Sequence, residues 1–454
     1  MRLTRRKFLG AASMALLPAA GRADPSVTKD GFRVLTASKT TAALMPAPAA
    51  KTELFGFGGQ NPGPLLRYKK GEEVKVRLVN DLDQPITFAC QGLRLPNAMD
   101  GAGGLTQAPI PPGKSFDYHF TPDDSGFYWY RSDVPALAGT QIDHGLYGPL
   151  IIDEPQPPTA DRDLTIILDD WYLNPSAQLE PAASATSSDR YVVTVNGEAT
   201  PLAVDILPGT RLRLRLLSLV QSELVFFAFI GLKPMVIAID GQPCDPFEPL
   251  RLTLPVGPGA CFDLLCDLPI DSGMQSSIAW RTGERSDRPL VICNTSGTRR
   301  PALPPIASLP QNPLLPTKIP LQQSKRANLT VAIEGKDAQG LVPTDKHGPV
   351  TLNGKPAQDY SESPLFVVRH GTPVTLAFIN KTSLLLQFYV HGFAMRLLHD
   401  LDDGWEPYWR CRVIVPEGRS KHAAFIADAR GKWAIECQTL EVSPARLVTW
   451  FEVV

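Results

Sequence analysis

Residues 71–80 read Gly-Glu-Glu-Val-Lys-Val-Arg-Leu-Val-Asn: a turn glycine, then apolar and polar side chains alternating from Val74 to Leu78. A period of two puts Val74, Val76 and Leu78 on one face, the pattern of a strand with one side in a core. Phe116-Asp-Tyr-His-Phe120 repeats it, so both segments read as half-buried strands. The same grammar returns after Gly209, as Thr-Arg-Leu-Arg-Leu-Arg-Leu-Leu-Ser, and after Gly371, as Thr-Pro-Val-Thr-Leu-Ala-Phe-Ile-Asn. Gly71, Gly209 and Gly371 stand 138 and 162 residues apart, which predicts one β-sandwich unit occurring three times.

Two proline-rich joints agree with that division. One is Asp153-Glu-Pro-Gln-Pro-Pro-Thr-Ala160; the other runs from Gly297 to Pro320, with proline at 301, 304, 305, 310, 313, 316 and 320. Domains are therefore expected over 24–155, 156–297 and 320–454, with a linker over 298–319. The 44 prolines and 35 glycines in 454 residues supply turns between short elements, as an all-β chain requires. A net charge of -1 provides no field to gather nucleic acid or an anionic membrane, so neither is an expected partner.

The first 23 residues read as an address. Arg2, Arg5, Arg6 and Lys7 precede a short apolar run from Phe8 to Ala20, and Arg5-Arg6-Lys7-Phe8-Leu9 resembles the twin-arginine export motif. Cleavage is expected after Ala23, delivering the protein to the periplasm. The run falls well short of the ~20 residues a membrane span needs, and no later segment is apolar for that length, so no transmembrane segment is expected after cleavage. Seven cysteines, Cys90, Cys244, Cys261, Cys266, Cys293, Cys411 and Cys437, leave at least one thiol unpaired and include no CxxC pair. Most read as small buried apolar residues.

Gly92-Leu-Arg-Leu-Pro-Asn-Ala-Met-Asp-Gly101, Leu105-Thr-Gln-Ala-Pro-Ile-Pro-Pro-Gly113 and Gly145-Leu-Tyr-Gly-Pro-Leu-Ile-Ile152 resemble the first domain of bacterial, laccase-type multicopper oxidases. Thr194-Val-Asn-Gly, Val236-Ile-Ala-Ile-Asp-Gly-Gln-Pro, Asn353-Gly, Arg430-Gly-Lys-Trp433 and the closing Phe451-Glu-Val-Val extend the resemblance over the mature chain. It implies three consecutive cupredoxin-like Greek-key β-sandwich domains. It also implies a mononuclear copper held by two imidazoles and a thiolate, and a trinuclear cluster held by four His-x-His pairs whose i and i+2 residues share a strand face.

This sequence departs from that ligand pattern. The first pair stands as Ala89-Cys90-Gln91; the second falls at Arg131 and Asp133. The third motif reads Leu386-Gln-Phe-Tyr389-Val-His391-Gly392, and the fourth Glu436-Cys437-Gln438 followed by Val442 and Leu447. Ala89, Gln91, Arg131, Asp133, Leu386, Tyr389, Glu436, Gln438, Val442 and Leu447 thus stand where the resemblance implies ligands, and only Cys437 and His391 keep the family's residue type. A guanidinium ~4 Å from a divalent copper repels it by about 8 kcal/mol at an effective dielectric of 20. No copper or other cofactor is therefore expected.

Around Cys437, Leu386, Val442 and Leu447 predict a dry pocket with an inert thiol. Gln91, Arg131, Asp133, Tyr389, His391, Glu436 and Gln438 are expected to converge between the first and third domains, with Arg131 paired to Asp133 or Glu436. Two rival readings stay open: His391, Asp133 and Glu436 as ligands of another metal, or as a general acid and base cluster. His119, His144, His347, His370, His399 and His422 fall outside the ligand motifs and read as surface or loop residues. Phe127-Tyr-Trp-Tyr130 reads as strand core, and Trp405 and Trp409 as an aromatic loop open to a partner. The expectation is a monomeric, non-enzymatic scaffold or binding protein whose partner is a periplasmic protein or cell-envelope component. It resembles in part the copper-free, twin-arginine-exported cell-division protein of this fold. The alternative is a multicopper oxidase-type oxidoreductase with copper at a residual or unrecognised site.

Overall fold

A computed structural model of the protein describes residues 25–181, 190–283, 287–333, 343–344, 348–399, 404–441 and 444–454. The export segment, His347 and Val442 lie outside the described residues. The strands form six sheets in three consecutive pairs: two of four strands between Arg33 and Asp153, one of seven and one of five between Arg162 and Thr295, and again seven and five from residue 325 to Val453. Each pair closes over its own apolar core. Leu35, Val76, Tyr118 and Leu150 lie in the first, Leu214, Phe227, Val236 and Trp280 in the second, and Leu376, Phe388, Trp433 and Phe451 in the third.

The strand that follows each repeated glycine takes the same place in all three units. Val74–Asn80 lies between a parallel partner, Arg33–Ala42, and an antiparallel one, Ser115–Phe120. Arg211–Ser218 lies likewise between Arg162–Leu173 and Cys261–Asp267, and Thr372–Asn380 between Lys325–Ile333 and Ser420–Ala427. The glycine supplies the left-handed turn into it, with φ of 82°, 73° and 82° at Gly71, Gly209 and Gly371. Two-residue hairpin loops recur as well. Asn196-Gly197, Asp240-Gly241 and Asn353-Gly354 all have positive φ, the geometry whose twist matches the flanking strands.

Two segments differ from the sequence expectation. Arg211–Ser218 alternates like a half-buried strand, yet every residue of it is buried. Its leucines enter the core while Arg211, Arg213 and Arg215 lie under charged partners: Arg211 on Asp267 at 2.6 Å, Arg213 on Asp263 and Glu154, and Arg215 on Asp163 and Asp263 at 2.8 and 3.0 Å. Buried guanidiniums persist only when so matched. The proline-rich stretch over 298–319 is no slack joint either. Leu309 packs with Ile237, Ala238 and Leu265, the Pro304 carbonyl accepts from Arg211 at 2.7 Å, and Asn312 donates to Asp124 and Gln242 at 2.8 and 2.9 Å.

Candidate functional site

Four strands carry the side chains expected to converge, apart from Asp133 and His391, which follow just past the ends of two of them. In the first unit Ala89–Gln91 pairs with Gly126–Arg131, setting Ala89 opposite Arg131 and Gln91 opposite Trp129. In the third, Leu385–Val390 pairs with Gly431–Leu440, so that Gln387 faces Gln438 and Tyr389 faces Glu436. Period two then separates two environments on one strand. Cys437 turns inward among Leu386, Phe388 and Leu447, while Glu436 and Gln438, on either side of it, turn outward toward the first unit. Burial pushes the Cys437 thiol up, which keeps it protonated and unreactive.

At the junction Arg131 is 2% exposed. Its Nη2 donates to both carboxylate oxygens of Glu436 at 2.7 Å and lies 3.0 Å from Asp133 Oδ1. His391 bridges the same cluster, with Nε2 2.7 Å from Glu436 Oε1 and Nδ1 3.0 Å from Asp100 Oδ2. Gly92 N–H donates to the Tyr389 hydroxyl at 2.9 Å, and Arg412 donates to Gln91 Oε1 at 2.9 Å. Every one of these bonds except Arg131 to Asp133, within the first unit, and His391 to Glu436, within the third, runs between those two units. Ala89 is buried beneath this layer, opposite Arg131, and offers no polar atom to it.

The electrostatics follow from burial set against neighbours. Burial disfavours the His391 imidazolium, but the Asp100 and Glu436 carboxylates outweigh it and push the His391 pKa up to about 10. Burial likewise raises Asp133, to about 7, because Arg131 only partly offsets it and the Glu436 charge adds to it. Glu436 goes the other way: burial is overcome by Arg131 and His391, and its carboxyl is held far below the usual range. The cluster therefore joins the firmly ionised Glu436 carboxylate to an imidazolium and a guanidinium, with Asp133 raised to about 7 beside them.

Asp133, His391 and Glu436 each offer one ligand atom, all within 4.8 Å of one another, the geometry of a possible cation site. Several partners were not singled out in the sequence. Asp100 lies inside the Gly92 to Gly101 motif, and Arg412 and Arg446 lie opposite Tyr389 and Gln438 in register. Register is the signal that finds them, and it needs the hairpin turns to be placed first. Tyr360 approaches from a coil, and no sequence pattern marks it.

Outside the cluster, Phe127, Tyr128, Trp129 and Tyr130 are strand core. His119, His370, His399 and His422 are exposed and His144 half-buried. The aromatic loop expected at Trp405 and Trp409 is instead a strand, Trp405–Arg410, paired with Met395–Leu398. Trp409 is buried beneath the Arg396 guanidinium, 5.0 Å from its ring centre, so it presents no docking face.

Models of multicopper oxidase domains match residues 39–157, 162–272 and 320–454. The multicopper oxidase MmcO of Mycobacterium tuberculosis is 27% identical, over 96% of this chain and 94% of its own. A copper resistance protein A homolog of Pseudomonas syringae pv. tomato is 28% identical over 86% of this chain and 87% of its own. Among solved structures, a multi-copper oxidase from Pseudomonas thermotolerans superposes with a TM-score of 0.79 at 25% identity, covering 93% of this chain and 98% of that one. Lac15 from a marine microbial metagenome gives a TM-score of 0.73 at 26% identity, covering 92% of this chain and 99% of that one.

Proposed function

The chain belongs to the multicopper oxidase family, and from that premise we propose that it is a copper-free member: a periplasmic, non-enzymatic scaffold or binding protein. In this reading an ion-pair clasp joins the first and third domains where relatives of the family hold their metal. The observation that carries it is Arg131, whose guanidinium sits on Glu436 and Asp133 at 2.7 and 3.0 Å. Family copper calls for imidazole nitrogens and a thiolate. The donor set here does not fit it: His391 spends both ring nitrogens on Asp100 and Glu436, and Cys437 is a protonated thiol between Leu386 and Leu447. No oxidase step is derived through copper on these residues.

Export by the twin-arginine route, a monomeric state and a partner among periplasmic proteins or envelope components belong to the same proposal. Among the described residues no helix is long and apolar enough to cross a membrane. A second reading keeps an oxidoreductase with a cation held by Asp133, His391 and Glu436, and the 4.8 Å spacing of their ligand atoms favours it. That reading requires Arg131 to give up Glu436.

Purification of the exported protein from copper-supplemented cells, with elemental analysis and a visible spectrum, tests both. Substoichiometric metal and a colourless protein support the clasp. A blue thiolate-to-copper band with oxidase activity overturns it, and a stoichiometric cation that is lost in Glu436→Gln establishes the second reading. If metal is absent, crosslinking in intact cells followed by capture of the exported chain tests the binding role, which fails if no envelope component is enriched over an exported control.

A further inference from the structure

Beside the clasp, where all three domains meet, lies a cavity of about 30 Å³, room for roughly two waters. Its wall carries an unusual excess of hydrogen-bond donors. Gln91 Nε2, Gln438 Nε2, Arg131 Nε and Nη1, and Arg446 Nε are buried without a partner. The Gln91 amide is fixed in that sense, since its oxygen already accepts from Arg412. Buried polar groups in proteins are ordinarily satisfied, so five free N–H sites around one space call for an acceptor in it.

The charges call for the same thing. Arg412 is buried, yet its side chain bonds only neutral groups, Gln91 Oε1 at 2.9 Å and Cys411 Sγ at 3.2 Å. Arg446 bonds the neutral Gln221 Oε1 at 2.6 Å. Among the described residues neither guanidinium has a carboxylate within ion-pair distance. Asp240 bonds the main-chain N–H groups of Cys261, Cys411 and Arg412 instead, and Glu436, Asp143 and Asp133 act on Arg446 only as charges beyond ion-pair distance. A buried guanidinium and a half-buried one at one cavity wall, neither in contact with a carboxylate, are costly. Glu436 and Asp133 line the wall too, but Arg131 takes both Glu436 oxygens, and the acceptors left there without a partner, Asp133 Oδ2 and Gln387 Oε1, are outnumbered by the five free donors.

We propose that this cavity binds one small monovalent inorganic anion of about chloride size, held by the free N–H groups of Gln91, Gln438, Arg131 and Arg446 and offsetting one of the two charges that Arg412 and Arg446 bring to it. The space, about that of two waters, suits a small anion. Pro135, Gln221 and Arg446 line both this cavity and the larger one of about 430 Å³ next to it, so the anion enters past Arg446. The inference rests on donor atoms and charge and does not depend on the scaffold reading.

The test uses the mature protein in gluconate buffer, with chloride exchanged in at constant ionic strength. Binding to the native state alone raises the unfolding midpoint by about 2 °C, and the rise keeps growing with the logarithm of chloride concentration once the site is filled. Gln438→Glu sets a carboxylate among the donors, so it removes the chloride response and raises the midpoint in chloride-free buffer. Bromide-grown crystals of the unaltered protein give an anomalous peak between Gln91, Gln438 and Arg131. A midpoint indifferent to chloride, or a cavity holding water with no anomalous peak, overturns the proposal. An undiminished chloride response in Gln438→Glu does so too. If that variant does not fold, the bromide map decides alone.

Discussion

Arg131 is the residue on which the junction turns, because it stands at a ligand position of the family and holds two carboxylates there. Replacing it with methionine keeps most of the volume but leaves Glu436 and Asp133 buried beside each other with His391 as the one cation against them, which costs about 3–5 kcal/mol. Arg131→Met combined with Glu436→Gln removes the orphaned charge together with its partner. Urea unfolding of the two single variants and the double is expected to give a coupling of about 1–3 kcal/mol. Strictly additive losses would mean that the pair seen at 2.7 Å contributes nothing of its own. The replaced positions themselves were legible in the sequence, since each stands in a recognisable motif. The pairing of Arg131 with Asp133 or Glu436 was legible too, but the partners of His391, Gln91 and Gln438 were not, because Asp100 ends a short 3-10 turn and Arg412 and Arg446 start separate strands that only the fold brings together.

At the level of the element, the three units could be read from the glycine-then-strand repeat, and their hairpins from Asn-Gly and Asp-Gly. Alternation reports that one face of Arg211–Ser218 enters a core but is silent on what covers the other, so the buried arginine ladder and the strap over 298–319 stayed hidden. The Asp240-Gly241 turn gives a direct measure of how tightly units pack. A Cβ on Gly241 falls 2.4 Å from the buried Tyr128 ring of the first unit, at a φ of 77°. One on Gly71 meets nothing within 4 Å at a φ of 82°. Gly71→Ala is expected to lose about 1–2 kcal/mol for the left-handed backbone alone. Gly241→Ala loses the same plus about 1–3 kcal/mol of overpacking. Equal losses in urea unfolding would show that the hairpin does not seat rigidly on Tyr128.

Across the whole molecule, the clasp makes the union of the first and third domains depend on pH, and the sign follows from three shifted groups. Glu436 is held below its unfolded value, so its share of the stability is present above about pH 4.5 and is lost as acid protonates it. Asp133 is raised, to about 7, so its share is present below about pH 4 and is lost as the pH climbs through 7. His391 is raised, to about 10, so its share is whole below about pH 6.5 and disappears between there and 10. Together they place the clasp's greatest contribution near pH 4–5, with a long decline on the alkaline side. The thermal midpoint of the intact protein is therefore expected to be higher at pH 5.5 than at pH 9. His391→Gln, measured as the difference from the unaltered protein so that distant groups cancel, removes the limb between pH 6.5 and 10 and leaves the acid limb of Glu436 in place. If both proteins lose the same stability between pH 6.5 and 10, the imidazolium does not bridge Asp100 and Glu436, and the clasp rests on Arg131 without it.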